Sequence, residues 1–209
     1  MATSLDLSKP AWLWNIIRAR SKTFGNLAGH VKGMDNITSL AQWTNQQFDP
    51  ALNWKDIEWI KKVWPGKIII KGILDPEDAK MAVKLGADAV VVSNHGGRQL
   101  DGASSSIAAL PAIADAVGSD TEVLFDGGIR TGSDMMRALA LGARACLIGR
   151  AYVWGLGAMG QAGVAKAIDI LKNELSVTMA LTGTVKLADI GPHVLVGGGG
   201  KKPRAKAKR

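Results

Sequence analysis

Two stretches of the chain echo one another: KLGADAVVVSN, starting at Lys84, and ALGARACLIGR, starting at Ala140, with their LGA triplets 56 residues apart. Each reads as a helix end, a glycine stop, a short apolar strand and a polar turn. The strands are apolar throughout instead of alternating, as expected where both faces of a parallel sheet are covered. Repeated βα units of this kind restrict the chain to a doubly wound sheet or a (β/α)8 barrel.

The same rhythm extends on both sides of the echo. KDIEWIKKVW places Ile57, Ile60, Val63 and Trp64 on one helical face, and Pro65-Gly66 stops that helix. DPEDAKMAVKLG has an Asp cap, Pro at its first helical position, acids in the first turn and a terminal glycine. SSSIAALPAIADAVG and TGSDMMRALALG read as two further helices, and the stretch from Gly155 to Gly183 as helix in one or two pieces. Strands are expected at 67–71, 88–93, 122–126 and 145–149. Each ends in polar or glycine residues, and in a barrel those ends share the rim where the site is built. A closed barrel of this type needs eight strands. The expected fold is therefore α/β, a partial TIM barrel of four strands.

Residues 1–54 differ in character, with Trp12, Trp14, Trp43 and Trp54 among polar, Gly- and Asn-bearing stretches. They are read as a loop, lid or membrane-contact segment, residues 55–190 as the barrel portion, and residues 191–209 as a flexible basic tail. In WLWNIIRAR, Trp12, Trp14, Ile16 and Ile17 stand beside Arg18 and Arg20, a mixture suited to a membrane interface or to a packed lid. The formal charge of +8 is uneven, since KKPRAKAKR at the end carries six positive charges and leaves the rest at +2. That asymmetry implies a solvated extension and no specific nucleic-acid site. The single cysteine, Cys146, sits in ACLIG and reads as a core residue, which excludes a disulfide scaffold. Neither a signal-peptide pattern nor an apolar run of roughly 18 residues is seen, so a cytoplasmic protein, peripheral to the membrane at most, is expected.

The chemistry-bearing residues gather at the strand ends. SNHGGRQLDG, from Ser93 to Gly102, carries His95 and Arg98 on a glycine-bearing loop. An imidazole is the natural general base near neutral pH, and a guanidinium offers a planar fork for a carboxylate. A turn histidine with a surface arginine is the plain alternative. Lys71 ends an apolar strand, where burial demands an anionic partner. DGGIRTGSD supplies Gly127, Gly128 and Arg130 ahead of a helix start, and IGR supplies Gly149 and Arg150. Together they suit a phosphate cradle. A nucleotide-binding barrel would share the cradle but needs no His/Arg pair at that strand end.

KGIL, VVVSNHGGRQLDG, FDGGIRTGSD, ALALGA and LIGRA resemble the carboxyl-terminal half of the FMN-dependent α-hydroxy acid dehydrogenases and oxidases. QQFDPALNWKDIEWI, KGILDPEDA and ALPAIADAV are most similar to the bacterial L-lactate dehydrogenase branch, and the likeness runs from about Lys9 to about Ile190. The resemblance implies oxidation of an (S)-2-hydroxy acid, L-lactate to pyruvate, with FMN as cofactor and no metal. It implies His95 as the base and Arg98 as the carboxylate binder. Lys71 and Ser93 become flavin contacts, and Asp126, Gly127, Gly128, Ile129, Arg130, Gly149 and Arg150 holders of the ribityl and phosphate groups. Implied partners are the hydroxy acid, an electron acceptor (a quinone or cytochrome chain, or oxygen) and either a second copy or a complementing amino-terminal half. In that family the first four strands bring further flavin contacts, substrate-binding tyrosines, a second substrate arginine and an aspartate that pairs with the histidine. None is recoverable here, where Tyr152 is the single tyrosine. The matching strands are five to eight of the barrel, and the alternative reading is a fragment without turnover.

Overall fold

The computed structural model describes residues 10–18, 43, 46–47 and 49–196. The chain divides into two compact units, Met1–Asp56 and Ile57–Arg209. In the first unit, α1 (Pro10–Arg18) carries exposed Trp14 and Ile17, and the Arg18 guanidinium lies 5.3 Å from the centroid of the Trp14 ring. Arg20 and residues 197–209 of the basic tail lie outside the described residues, while Val194 and Leu195 at the start of that tail pack against the cluster of Met136, Ala140, Leu175 and Ile190. A ten-residue helix, α2 (Trp54–Val63), crosses the boundary between the units. Its expected apolar face is only half-buried at Ile57 and Ile60, and Val63 and Trp64 are exposed.

The second unit alternates strand and helix. It runs β1 (Ile69–Ile73), α3 (Pro76–Lys84), β2 (Ala89–Val92), α4 (Ser106–Val117), β3 (Glu122–Asp126), α5 (Gly132–Ala140), β4 (Ala145–Leu147) and α6 (Arg150–Leu181). The four strands form one parallel sheet in the order β1-β2-β3-β4. A mixed α/β chain with a four-stranded parallel sheet matches the partial-barrel expectation.

Local chemistry sets the helix ends. The Asp75 carboxylate caps α3 by accepting from the Glu77 amide, and Pro76 opens the helix. Thr131 and Asp134 form a reciprocal capping box at α5. Both echoed units end their helix in the same way. The amides of Gly86 and Ala87 bond back to Val83 and Ala82, and those of Gly142 and Ala143 to Leu139 and Ala138. Gly86 and Gly142 are left-handed at φ 78° and 108°, which this double bond requires and which favours glycine. The long helix α6 is two pieces joined at Gly160, whose dihedrals are non-helical, and Gly155 and Gly163 on the two arms touch backbone to backbone.

Phe125, Leu110, Ile113, Val90, Val92 and Val117 are the largest fully buried side chains, so the core lies where β2 and β3 meet α4. A second cluster joins α5 to α6 through Met136, Ala140, Leu175 and Ile190. Three expectations need adjustment. β1 does not end at Lys71 but continues to Ile73, with a register shift between Lys71 and Ile73. Full burial holds for β2 alone; β3, although it too lies between two strands, has Glu122 exposed and Leu124 and Asp126 half-buried. Cys146, on outer strand β4, is half-buried instead of a core residue. Burial still pushes its thiol up to about 11, since the thiolate loses solvation there.

Candidate active site

The carboxyl ends of the four parallel strands surround a cleft of about 390 Å³, within the range of small-molecule sites. Lys71 reaches it from β1, His95 and Arg98 from the loop after β2, and Asp126 to Arg130 from β3 and its loop. Gly149 and Arg150 enter from the start of α6. Every candidate site residue except Ser93 lines this cleft. Ser93 is fully buried beneath it and joins three of the others.

That junction is a compact polar network. The Lys71 ammonium donates to Ser93 Oγ at 2.9 Å and pairs with the Asp126 carboxylate at 2.9 Å. The Ser93 hydroxyl donates to the other Asp126 oxygen, and Ser93 Oγ accepts the His95 backbone N–H at 3.1 Å. The anionic partner that Lys71 needs is therefore at the end of β3, two strands away across the sheet, with Ser93 beyond β2 between them. His95 itself has a left-handed backbone, φ 55°, and is the one non-glycine with positive φ among the described residues. Such a conformation persists only where surrounding contacts hold it. No carboxylate pairs with the His95 imidazole among the described residues.

The phosphate-cradle expectation divides in two. At the start of α5 the protein satisfies its own amides. Those of Arg130 and Thr131 donate to the Asp134 carboxylate, and that of Gly132 donates to Glu174. Partial burial opposes the charge on Asp134, but the hydrogen bonds from Thr131 and Arg130 and the nearby Arg137 outweigh it and hold its carboxyl below the usual range. The amides of Arg130, Thr131, Gly132 and Asp134 are thus engaged within the protein. At the start of α6, Gly149 to Ala151 line the cleft, and a helix leaves its first amides without intrahelical partners. Arg150 Nη2 reaches across to the Gly96 carbonyl at 3.4 Å, which ties the β4 end to the histidine loop. Gln99, Leu147, Ile148 and Ala151 also line the cleft without having been singled out. Their types carry no chemical signal, and they reach the cleft as chain neighbours of Arg98, Gly149 and Arg150.

These residues suit a bound flavin phosphate. A side chain at Gly128 or Gly149 would meet no protein atom within 4 Å, so both keep open space at the cleft, beside the cations Lys71, Arg130 and Arg150. The sequence profile described as FMN-dependent dehydrogenase matches residues 3–197. The chain belongs to that family. FMN is the family's cofactor. An L-lactate dehydrogenase of Actinobacillus pleuropneumoniae (serotype 5b, strain L20) is 51% identical over 191 residues, covering 91% of this chain and 50% of that protein. One from Stenotrophomonas maltophilia (strain R551-3) is 50% identical over the same length. The chain spans about half the length of the curated relatives it matches. Among solved structures, the monotopic membrane protein (S)-mandelate dehydrogenase superposes with a TM-score of 0.81 at 36% identity, covering 90% of this chain and 49% of that one. A mandelate oxidase superposes with a TM-score of 0.67 at 46% identity, over 71% of this chain and 43% of that one.

Proposed function

We propose that this chain supplies the His/Arg half of a site that oxidises an (S)-2-hydroxy acid, L-lactate to pyruvate, with FMN. The observation that carries the reading is the convergence of Lys71, His95, Arg98, Arg130 and Arg150 on one cleft at four consecutive strand ends. Bound FMN supplies the two-electron acceptor that such an oxidation requires. The glycines and Arg130 on the β3 loop, with Gly149 and Arg150 at α6, hold its phosphate and ribityl end. Lys71, steadied by Asp126 and Ser93, presents a fixed positive charge to the ring.

Arg98 grips the substrate carboxylate as a planar fork and so orients the hydroxyl-bearing carbon. His95 accepts the hydroxyl proton on an imidazole nitrogen as the α-hydrogen leaves with its electron pair, so the acid loses two protons and two electrons and becomes the 2-oxo acid. The electron acceptor beyond the flavin is a quinone or cytochrome chain, or oxygen. The exposed Trp14 and Ile17 of α1 beside Arg18 support a peripheral membrane contact, as does similarity to a monotopic membrane protein. No described helix is long and apolar enough to cross a membrane.

A second reading concerns the 209-residue chain assayed alone. The imidazole lacks a carboxylate partner among the described residues, and a base of this kind is weakened when its imidazolium is unsupported. On this reading the isolated chain does not turn over.

Anaerobic stopped-flow reduction by L-lactate tests both, with the chain alone and with the amino-terminal half of a full-length relative added. His95→Gln is expected to keep FMN and to slow flavin reduction by at least about 10²-fold. Arg98→Lys is expected to raise the lactate dissociation constant, because an ammonium cannot reproduce the fork. Near-normal reduction in the His95 variant removes that residue from the reaction.

A further inference from the structure

We infer that Gly72 is the seat of the His95 imidazole, a positioning residue whose missing side chain fixes where the ring lies. Three observations meet here. A Cβ built on Gly72 would stand 2.7 Å from His95 Cε1, 3.4 Å from Nε2 and 3.6 Å from Nδ1, so the ring lies directly over this glycine. The first distance is closer than carbon atoms pack, and any side chain at 72 displaces the ring. Gly72 also occupies the register shift between β1 and β2, with φ 100°. Irregularities of this type re-aim side chains next to functional sites, and Lys71 immediately before it is the cation that enters the cleft.

The imidazole has no hydrogen-bond partner among the described residues, so polar contacts do not set its orientation. The backbone of His95 is held from one side, where its N–H donates to Ser93 Oγ at 3.1 Å. The ring is held from the other side by the bare backbone of Gly72. A left-handed histidine pinned at both points has little freedom to swing away from the cleft. The strand irregularity therefore does two jobs at once. It aims Lys71 inward and clears the surface on which the ring rests.

The seat itself is independent of what His95 does, and its catalytic consequence rests on the reading of His95 as the base. Nuclear magnetic resonance of the chain tests the seat directly, since three histidines, His30, His95 and His193, leave few ring signals to assign. The Gly72 Hα protons are expected to show Overhauser contacts to the His95 ring and a ring-current shift that disappears in His95→Ala. Absent contacts and Gly72 shifts unchanged by His95→Ala would overturn the inference. This measurement requires no change at 72, so it stands if a Gly72 variant fails to fold.

Urea unfolding of Gly72→Ala, His95→Ala and the double variant completes the test. Gly72→Ala is strained by its φ in either background, so only the coupling is informative. The loss of folding equilibrium constant from Gly72→Ala should be at least about tenfold larger with the His95 ring present than without it. Equal losses would reduce Gly72 to a glycine needed for backbone conformation alone. A confirmed seat together with normal flavin reduction in His95→Gln would leave the inference intact and remove the proposed base.

Discussion

The two echoed units begin alike and end differently. KLGADAVVVSN and ALGARACLIGR share the same helix stop, with the same paired amide bonds at Gly86 and Gly142, and each then enters a parallel strand. Yet Val91 is 2% exposed, and its counterpart Leu147 is 38% exposed. Ala89 is buried while Ala145 is exposed. β2 lies between two strands, whereas β4 has a neighbour on one side. A short apolar run thus specifies a strand, and the strands that flank it decide how much of that strand is core.

The ends of the units diverge in chemistry as well. Ser93 closes the first strand into a buried network, and Gly149, its counterpart, leaves the cleft open. Asn94 and His95 follow the first, and Arg150 the second. On the proposed reading, one βα unit serves proton transfer and the other anion binding, on the same backbone plan.

The sharpest way to break the comparison is a matched charge. Val91→Asp places an unpaired carboxylate in the core, a cost of several kcal/mol against a total stability of about 5–15 kcal/mol. Leu147→Asp, at the exposed counterpart, is expected to change stability by about 0.5 kcal/mol or less. Urea unfolding followed by circular dichroism distinguishes them, and equal losses would mean that β4 is as much core as β2.

Arg150→Ala tests the anion-binding end. Loss of a charge-assisted contact of about 1.5–3 kcal/mol should weaken FMN binding roughly tenfold to a hundredfold in a fluorescence titration. His95→Gln should leave that affinity within about twofold, since the proposed role of His95 is in the rate and belongs to the other unit. An FMN affinity unaffected by Arg150→Ala would take the cradle away from α6.

Ser93→Ala tests the buried network. The Lys71 ammonium, the Asp126 carboxylate and the His95 amide each lose a partner, and the expected cost is about 1–3 kcal/mol in unfolding free energy. A neutral effect would show that solvent in the cleft replaces the hydroxyl.

The smallest expected effect is at the strand entry, where Asp88 stands in the first unit and Arg144 in the second. The Lys67 ammonium bonded at 2.5 Å, and then the Ile68 amide, hold the Asp88 carboxyl below its ordinary 3.8. A lowered folded-state value adds stability at neutral pH that is lost as pH falls through it. The difference in urea midpoint between the protein and Asp88→Asn should therefore be present near neutrality, begin to shrink as pH nears 3.8 and vanish only below the lowered folded-state value. A difference that persists in stronger acid would assign the effect to the asparagine side chain instead of the charge.

Much of the site was legible because its residue types are costly or unusual where they stand. A lysine closing an apolar run, a histidine among paired glycines and arginines after glycine-ended strands each announce chemistry. The identity of the Lys71 partner was not legible. Asp126 is 55 positions away in the chain and becomes a neighbour only through the parallel pairing of β1, β2 and β3. Nor could residue type reveal that the Gly132 amide at the start of α5 is taken by Glu174, which arrives from the far arm of α6.

By itself the sequence determined what depends on near neighbours: strand and helix periodicity, the caps at Asp75 and Thr131, the glycine stops, and the loop that carries His95 and Arg98. These rest on backbone preferences and bonds spanning a few residues. Tertiary structure alone decided which apolar strand became core, that Glu174 takes the Gly132 amide, and that the His95 ring rests on Gly72. Those outcomes depend on distant segments meeting, and packing at contact distance sets them.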